Sequence, residues 1–141
     1  MGSRRKERIL AFQALYAWDM AADKVSALKD LLDFSWAEMG PEKTADFSRL
    51  LAAGTAENIK TVDALIRKNL VHWDFSRLNR VDRALLRISV YELLFKTAPP
   101  SVVIDEAVDI SREFGTDDSY RFINGVLDGI RKTIEEKESA K

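Results

Sequence analysis

The chain has 141 residues, of which 46% are hydrophobic and 32% charged, with a formal net charge of -1. That length suits one domain with its own core and is short for two, and near-neutrality argues against a protein that coats nucleic acid indiscriminately while leaving room for one basic patch. Without cysteine there is no disulfide framework, thiolate zinc site or cysteine nucleophile, which fits a cytoplasmic protein.

Arg4, Arg5, Lys6 and Arg8 open the chain, interrupted only by Glu7. Cations at a helix N-terminus oppose the macrodipole, so helix stability gives no reason for them. A solvated arm over residues 1–8 is one reading. Phosphate contact is the other, with Gln13 and Tyr16 one and two turns further on to offer a polar edge and a stacking face for a base. Ile9, Phe12, Tyr16 and Met20 form one apolar stripe and Ala11, Leu15, Trp18 and Ala22 a second. Two stripes predict a first helix buried on more than one side and central to the core, its basic start in solvent. No apolar run approaches the roughly 20 residues of a spanning helix, and no signal-peptide core follows the basic start.

Leu28, Leu31, Leu32 and Trp36 predict a short second helix over 25–36, closed by Gly40-Pro41. From Glu42 to about Asn69, Phe47, Leu50, Leu51, Val62, Leu65 and Ile66 predict one long third helix. Gly54 inside it costs roughly 1 kcal/mol relative to Ala unless something packs close, and marks a helix crossing. His72, the single histidine, sits beside Trp73 in a connector without partners at ligand spacing. From Arg77 to Phe95, Leu78, Val81, Leu85 and Ile88 predict a fourth helix in which Asp82, Arg83, Arg87, Tyr91 and Glu92 need accommodation. Arg87 has two readings: a structural pair with Glu92, Asp105 or Glu106, or a phosphate or partner protein.

Pro99 and Pro100 cannot continue that helix, and Val103, Ala107, Ile110 and Phe114 then predict another over 101–114. Gly115 is placed to stop it in a left-handed conformation, with Thr116 or Asp117 capping the next, whose stripe is Tyr120, Ile123, Leu127 and Ile130. Asn124 lies among Phe122, Ile123, Val126 and Leu127, where an amide needs partners or water. Asp117, Asp118, Ser119, Arg121 and Phe122 cluster at that helix's start, either as polar capping residues or as a binding surface. The charged residues 132–141 predict a frayed end.

The sum is an all-α, compact single-domain bundle of about six or seven helices over residues 1–141. Phosphate loops, GxSxG elbows and HExxH clusters are missing from the sequence, so we expect no enzyme, cofactor or metal.

The segments RRKERILAFQALYAWD, LRISVYELLF and VIDEAVDISREFGTDDSYRFINGVLD resemble, in order and spacing, the NusB family of bacterial transcription antitermination factors. The resemblance covers nearly the whole chain and is loose from Ala21 to Glu42. It implies an all-helical fold and a role in processive antitermination of ribosomal RNA operons, in which NusB pairs with NusE, a small-subunit ribosomal protein. The pair binds boxA RNA of the nascent transcript within the RNA polymerase antitermination complex. Carried onto this sequence, the RNA-contacting positions are Arg4, Arg5, Lys6, Arg8 and Tyr16 at the start and Asp118, Arg121 and Phe122 in the last hairpin, with Gln13 and Arg87 beside them. Asp82 and Arg83 fall on the partner-protein surface. A homodimer through exposed helices is a further expectation. Two rival readings stand beside this one: a helical interaction adaptor with no RNA role, and the N-terminal domain of a ribosomal RNA cytosine methyltransferase, which on 141 residues would require truncation.

Overall fold

A computed structural model describes residues 3–37, 45–72 and 74–140, all helix, turn or coil. The helices are α1 (Ser3–Met20), α2 (Lys24–Leu31), α3 (Asp46–Glu57), α4 (Ile59–Lys68), α5 (Arg80–Phe95), α6 (Pro100–Phe114) and α7 (Ser119–Ser139), with a 3-10 turn at Phe75–Arg77. An all-α bundle is what the periodicity predicts, and the seven α-helices among the described residues lie within the expected six or seven. Gly40-Pro41, the start of the predicted third helix at Glu42, and Trp73 lie outside the described residues.

The hub is α5 rather than α1. Every residue from Ala84 to Leu93 is buried, and α5 packs against α1, α3, α4, α6 and α7. Asn79 starts it by accepting from the backbone N–H of Val81 at 2.8 Å and of Asp82 at 3.2 Å, satisfying donors that a helix N-terminus otherwise leaves orphaned. Lys96, in a left-handed conformation (φ 54, ψ 45), ends it ahead of the Pro99-Pro100 pair that starts α6.

The long third helix predicted over 42–69 is two. Asn58 interrupts it, its side-chain amide donating to the Gly54 carbonyl at 2.8 Å and thereby competing with the helical backbone pattern. Gly54 marks a close crossing, as its cost predicts: a Cβ there would fall on the ring of Tyr91, so α3 lies against α5 through a position only glycine leaves open. The second helix stops at Leu31, not Trp36. Phe34 then adopts φ 57 and is 1% exposed, so burial of its ring offsets a backbone state that non-glycine residues avoid.

The last hairpin departs from expectation at Gly115 and beyond Arg131, and at Asn124 it takes the solvent-exposed alternative. Gly115 is extended, not left-handed (φ -94, ψ -170); its lack of a side chain is needed because a Cβ would sit 2.7 Å from the Ser111 carbonyl oxygen. Asn124 is exposed, its water contact answering the amide's need. Residues beyond Arg131 remain helical to Ser139, with Asp128–Arg131, Arg131–Glu135 and Lys96–Glu138 ion pairs along the way. Among the described residues, no helix is long and apolar enough to cross a membrane.

Candidate nucleic-acid interface

The basic start is not a solvated arm: helix runs unbroken from Ser3, and its cations divide by depth. Arg8 is buried. It donates from Nε to Glu92 Oε2 at 2.9 Å and from Nη2 to Glu92 Oε1 at 3.0 Å, a bidentate pair made between α1 and the end of α5. Glu92, 1% exposed, also accepts from the Thr97 hydroxyl at 2.6 Å. Arg8 therefore holds the core together and does not offer its charge to a ligand. Arg5, half-exposed, donates from Nε to Glu106 at 3.1 Å and from Nη2 to Asp109 at 2.7 Å. The Glu106 hydrogen bond, outweighing desolvation, leaves the Arg5 guanidinium still harder to deprotonate than usual. Arg4 lies over the Phe47 ring at 4.0 Å and pairs with Glu7 at 3.4 Å. Lys6 is exposed and has no ionic partner among the described residues.

At its other end α1 meets the start of α5, so the two helices run antiparallel. Asp19 accepts from Arg83 Nε at 3.0 Å and Nη2 at 2.8 Å, and from Arg87 Nη1 at 3.2 Å. Arg87 is further fixed by Asp63 of α4, with two bonds of 2.9 Å. The guanidinium groups of Arg67, Arg83 and Arg87 lie 4.4, 5.6 and 5.5 Å from the Phe75 ring centre. Burial alone pushes the Asp19 carboxyl up, but the Arg83 hydrogen bond and the charges of Arg83 and Arg87 outweigh it and leave the group below its ordinary range. Arg87 thus pairs internally, with Asp63 and Asp19 in place of the predicted Glu92, Asp105 or Glu106. Neither Arg87 nor Arg83 has a free guanidinium to place on a phosphate.

Beside this knot lies a cleft of about 240 Å³ between the start of α5 and the α6–α7 turn, lined among others by Arg77, Asp82, Thr116, Asp118, Ser119 and Phe122. Ser119 shapes the turn: its hydroxyl accepts from the Thr116 backbone N–H at 2.9 Å. Asp118 sits at the α7 N-cap position without capping through its side chain, and is exposed. Asp82 is the anomaly. It is 8% exposed, and its Oδ1 is a buried polar atom without a hydrogen-bond partner, where most such atoms have one. Burial pushes its carboxyl above the usual carboxylate range, the Ser119 hydroxyl opposing in part.

Tyr16 packs against the core from α1. Phe12, Tyr16 and Asp19 recur on α1 at i, i+4 and i+7; Phe12 meets Phe114 of α6 edge-on at 5.4 Å, and Asp19 meets α5. Tyr16, partly buried, lies between those anchor points. Gln13 is also partly buried and points off that stripe. Arg121 is exposed and donates to the Tyr120 hydroxyl at 2.9 Å. The structure thus brings together Asp82, Asp118 and Phe122, keeps Tyr16 on α1 packed against the core, leaves Lys6 exposed near the start of α1, and takes Arg8, Arg83 and Arg87 into internal pairs. Sequence reading missed Asp19 and Asp63. Their signal was positional, since Asp19 extends the core-facing stripe Arg5, Arg8, Phe12, Leu15 and Asp63 lies beside Val62 on the buried face of α4.

The NusB family model matches residues 5–132. The chain belongs to the NusB family. The transcription antitermination protein NusB of Treponema pallidum (strain Nichols) is 53% identical over 134 residues, 92% of this chain and 93% of that protein. NusB of Carboxydothermus hydrogenoformans is 40% identical over 141 residues, 95% of this chain and 96% of that protein. The NusB fold recurs in the Thermotoga maritima NusB structure, with TM-score 0.77 and 37% identity over 92% of this chain and 90% of that one. A crystal structure of antitermination factors NusB and NusE in complex with double-stranded RNA matches with TM-score 0.77 and 28% identity, covering 94% of this chain and 98% of that one. These NusB relatives are matched over nearly their whole length.

Proposed function

We propose that this NusB family member is a transcription antitermination factor, not an enzyme, that binds boxA RNA of nascent ribosomal RNA transcripts jointly with NusE, within the RNA polymerase antitermination complex. The observation carrying this reading is the likeness, over 94% of the chain, to an antitermination factor solved with NusE and RNA. The site's chemistry supports it. Tyr16 and Phe122 present faces on which unstacked bases stack, a contact worth about 1–3 kcal/mol per base, while Lys6, Arg4, Arg5 and Arg77 supply phosphate attraction. Asp82 and Asp118 are acceptors for donors on a base or on a partner protein. Arg8, Arg83 and Arg87 act indirectly, by fixing α1 against α4, α5 and α6.

So few cations, two of them already paired with carboxylates, give weak, salt-sensitive affinity, with a slope of about 0.7 per phosphate neutralised on a single strand. Tight, selective binding then needs a second protein to extend the surface. The test is affinity for boxA and scrambled RNA, with and without equimolar NusE, at two salt concentrations. Selective binding that NusE tightens is expected. Equal or absent binding to both RNAs, with NusE still bound, leaves a protein adaptor. A concentration-dependent mass in the same samples reports whether the chain self-associates.

A further inference from the structure

Arg5 offers α1 a planar fork suited to gripping a phosphate, with its side chain 43% exposed. Yet the fork is already filled. Glu106, 19% exposed at its side chain, and Asp109, 49% exposed, both accept from Arg5. The two carboxylates differ in depth and in what else they touch. Glu106 also lies 3.7 Å from the buried Arg8 and belongs to the packing of α1 on α6. Asp109 has no second cation among the described residues and is open to solvent, where an incoming phosphate can compete with it.

We propose that Asp109 is an internal competitor for the RNA phosphate at Arg5, while Glu106 is the positioning residue that holds the guanidinium in place. This rests on the RNA-binding reading above. A phosphate reaching Arg5 either displaces the Asp109 carboxylate or sits beside a like charge, and both reduce the gain from the contact. The competition is paid by any strand. For a strand held only by charge it falls on its entire source of affinity, whereas bases stacked on Tyr16 and Phe122 keep theirs.

The test is a cycle of variants read by binding of scrambled and boxA RNA to the full chain with NusE. Asp109→Asn is expected to raise affinity for scrambled RNA about two- to fivefold, the scale of one exposed ion pair. The salt slope should steepen by up to about 0.7 if one more phosphate is engaged. In an Arg5→Gln background the same substitution is expected to give no gain. Glu113→Gln, an equal charge change elsewhere on α6, should give less than Asp109→Asn, and Asp109→Glu should behave as the unaltered chain. Glu106→Gln should lower affinity, because the fork loses its support. An unchanged or reduced affinity in Asp109→Asn, or a gain that survives Arg5→Gln, overturns the proposal while leaving RNA binding intact. If the unaltered chain and all variants bind no RNA, the functional reading falls, and this inference with it.

Discussion

The two ends of the candidate interface handle buried charge in opposite ways. At the start of α1, Arg8 and Glu92 are both buried and each satisfies the other, with Thr97 and Glu106 completing the set. At the start of α5, Asp82 is buried to a similar degree with Oδ1 unpaired. Between them Asp19 and Asp63 neutralise Arg83 and Arg87. A satisfied buried pair fixes one arrangement of helices. An unsatisfied buried acceptor costs free energy in the isolated chain, and such a cost is commonly retained where a ligand supplies the missing partner. The first end is thus architecture, and the second is the site we propose.

The largest effect should come from breaking the satisfied end. Arg8→Ala leaves Glu92 buried without its cation, a loss of about 3–5 kcal/mol, measurable as a drop in the urea midpoint at neutral pH. Its RNA affinity, measured on whatever fraction stays folded, should change less than that of Lys6→Ala. A large, selective loss of RNA binding with stability intact would move Arg8 from architecture to interface.

A smaller effect lies in the middle. The Asp19 carboxyl titrates below its ordinary value, so the folded chain binds that proton less readily than the unfolded one. Its stabilisation is present above the ordinary carboxylate range and is lost as pH falls through the folded value. Asp19→Asn should cost about 2 kcal/mol at pH 7, the scale of hydrogen bonds to a charged group, and far less in acid, where the carboxyl is protonated anyway. Urea unfolding of both chains at pH 7 and near pH 2.5 checks this; a cost that does not shrink in acid would assign it to packing instead.

These polar contacts mark how far the sequence could be read. Helix existence and type were legible, because Leu85, Ile88, Ile110, Ile123 and Leu127 repeat with the helical period and Pro99-Pro100 separates two of the helices. The boundary at Asn58 was not, since apolar spacing continues across it and only a side-chain bond to the Gly54 carbonyl breaks the helix. Tyr16 was legible as a stacking face and Asp118 and Phe122 as a capping or binding cluster, the family resemblance then implying RNA contact for all three, whereas the basic run Arg4, Arg5, Lys6, Arg8 was visible as charge alone. What charge could not reveal is direction. Arg5 and Arg8 share a stripe with Phe12 and Leu15, and that register, more than the count of cations, sends them inward toward carboxylates on α5 and α6 that are distant in sequence. Arg87 was open for the same reason: a helix buried on every side must pair its cation with something, but which of several carboxylates lies opposite is a tertiary fact.

The smallest stability effect, and the most discriminating, is at Asp82. Its carboxyl is pushed up by burial, so the folded state holds that proton more tightly than the unfolded one. The favourable contribution is complete below the ordinary carboxylate range and is lost as pH rises through the folded value, leaving a cost at neutrality. Asp82→Asn removes the ionisation without changing the shape of the side chain. It should therefore leave the chain as stable at pH 7 or raise it by about 1 kcal/mol, while showing no advantage in acid. Binding should move the other way. If Oδ1 awaits a donor from RNA or NusE, the amide meets it with weaker acceptor strength and no charge, and the assembled complex loosens even as the free chain firms. Opposed changes in stability and binding are what a residue kept for its ligand produces, whereas a parallel fall in both would make Asp82 part of the packing between α5 and the α6–α7 turn.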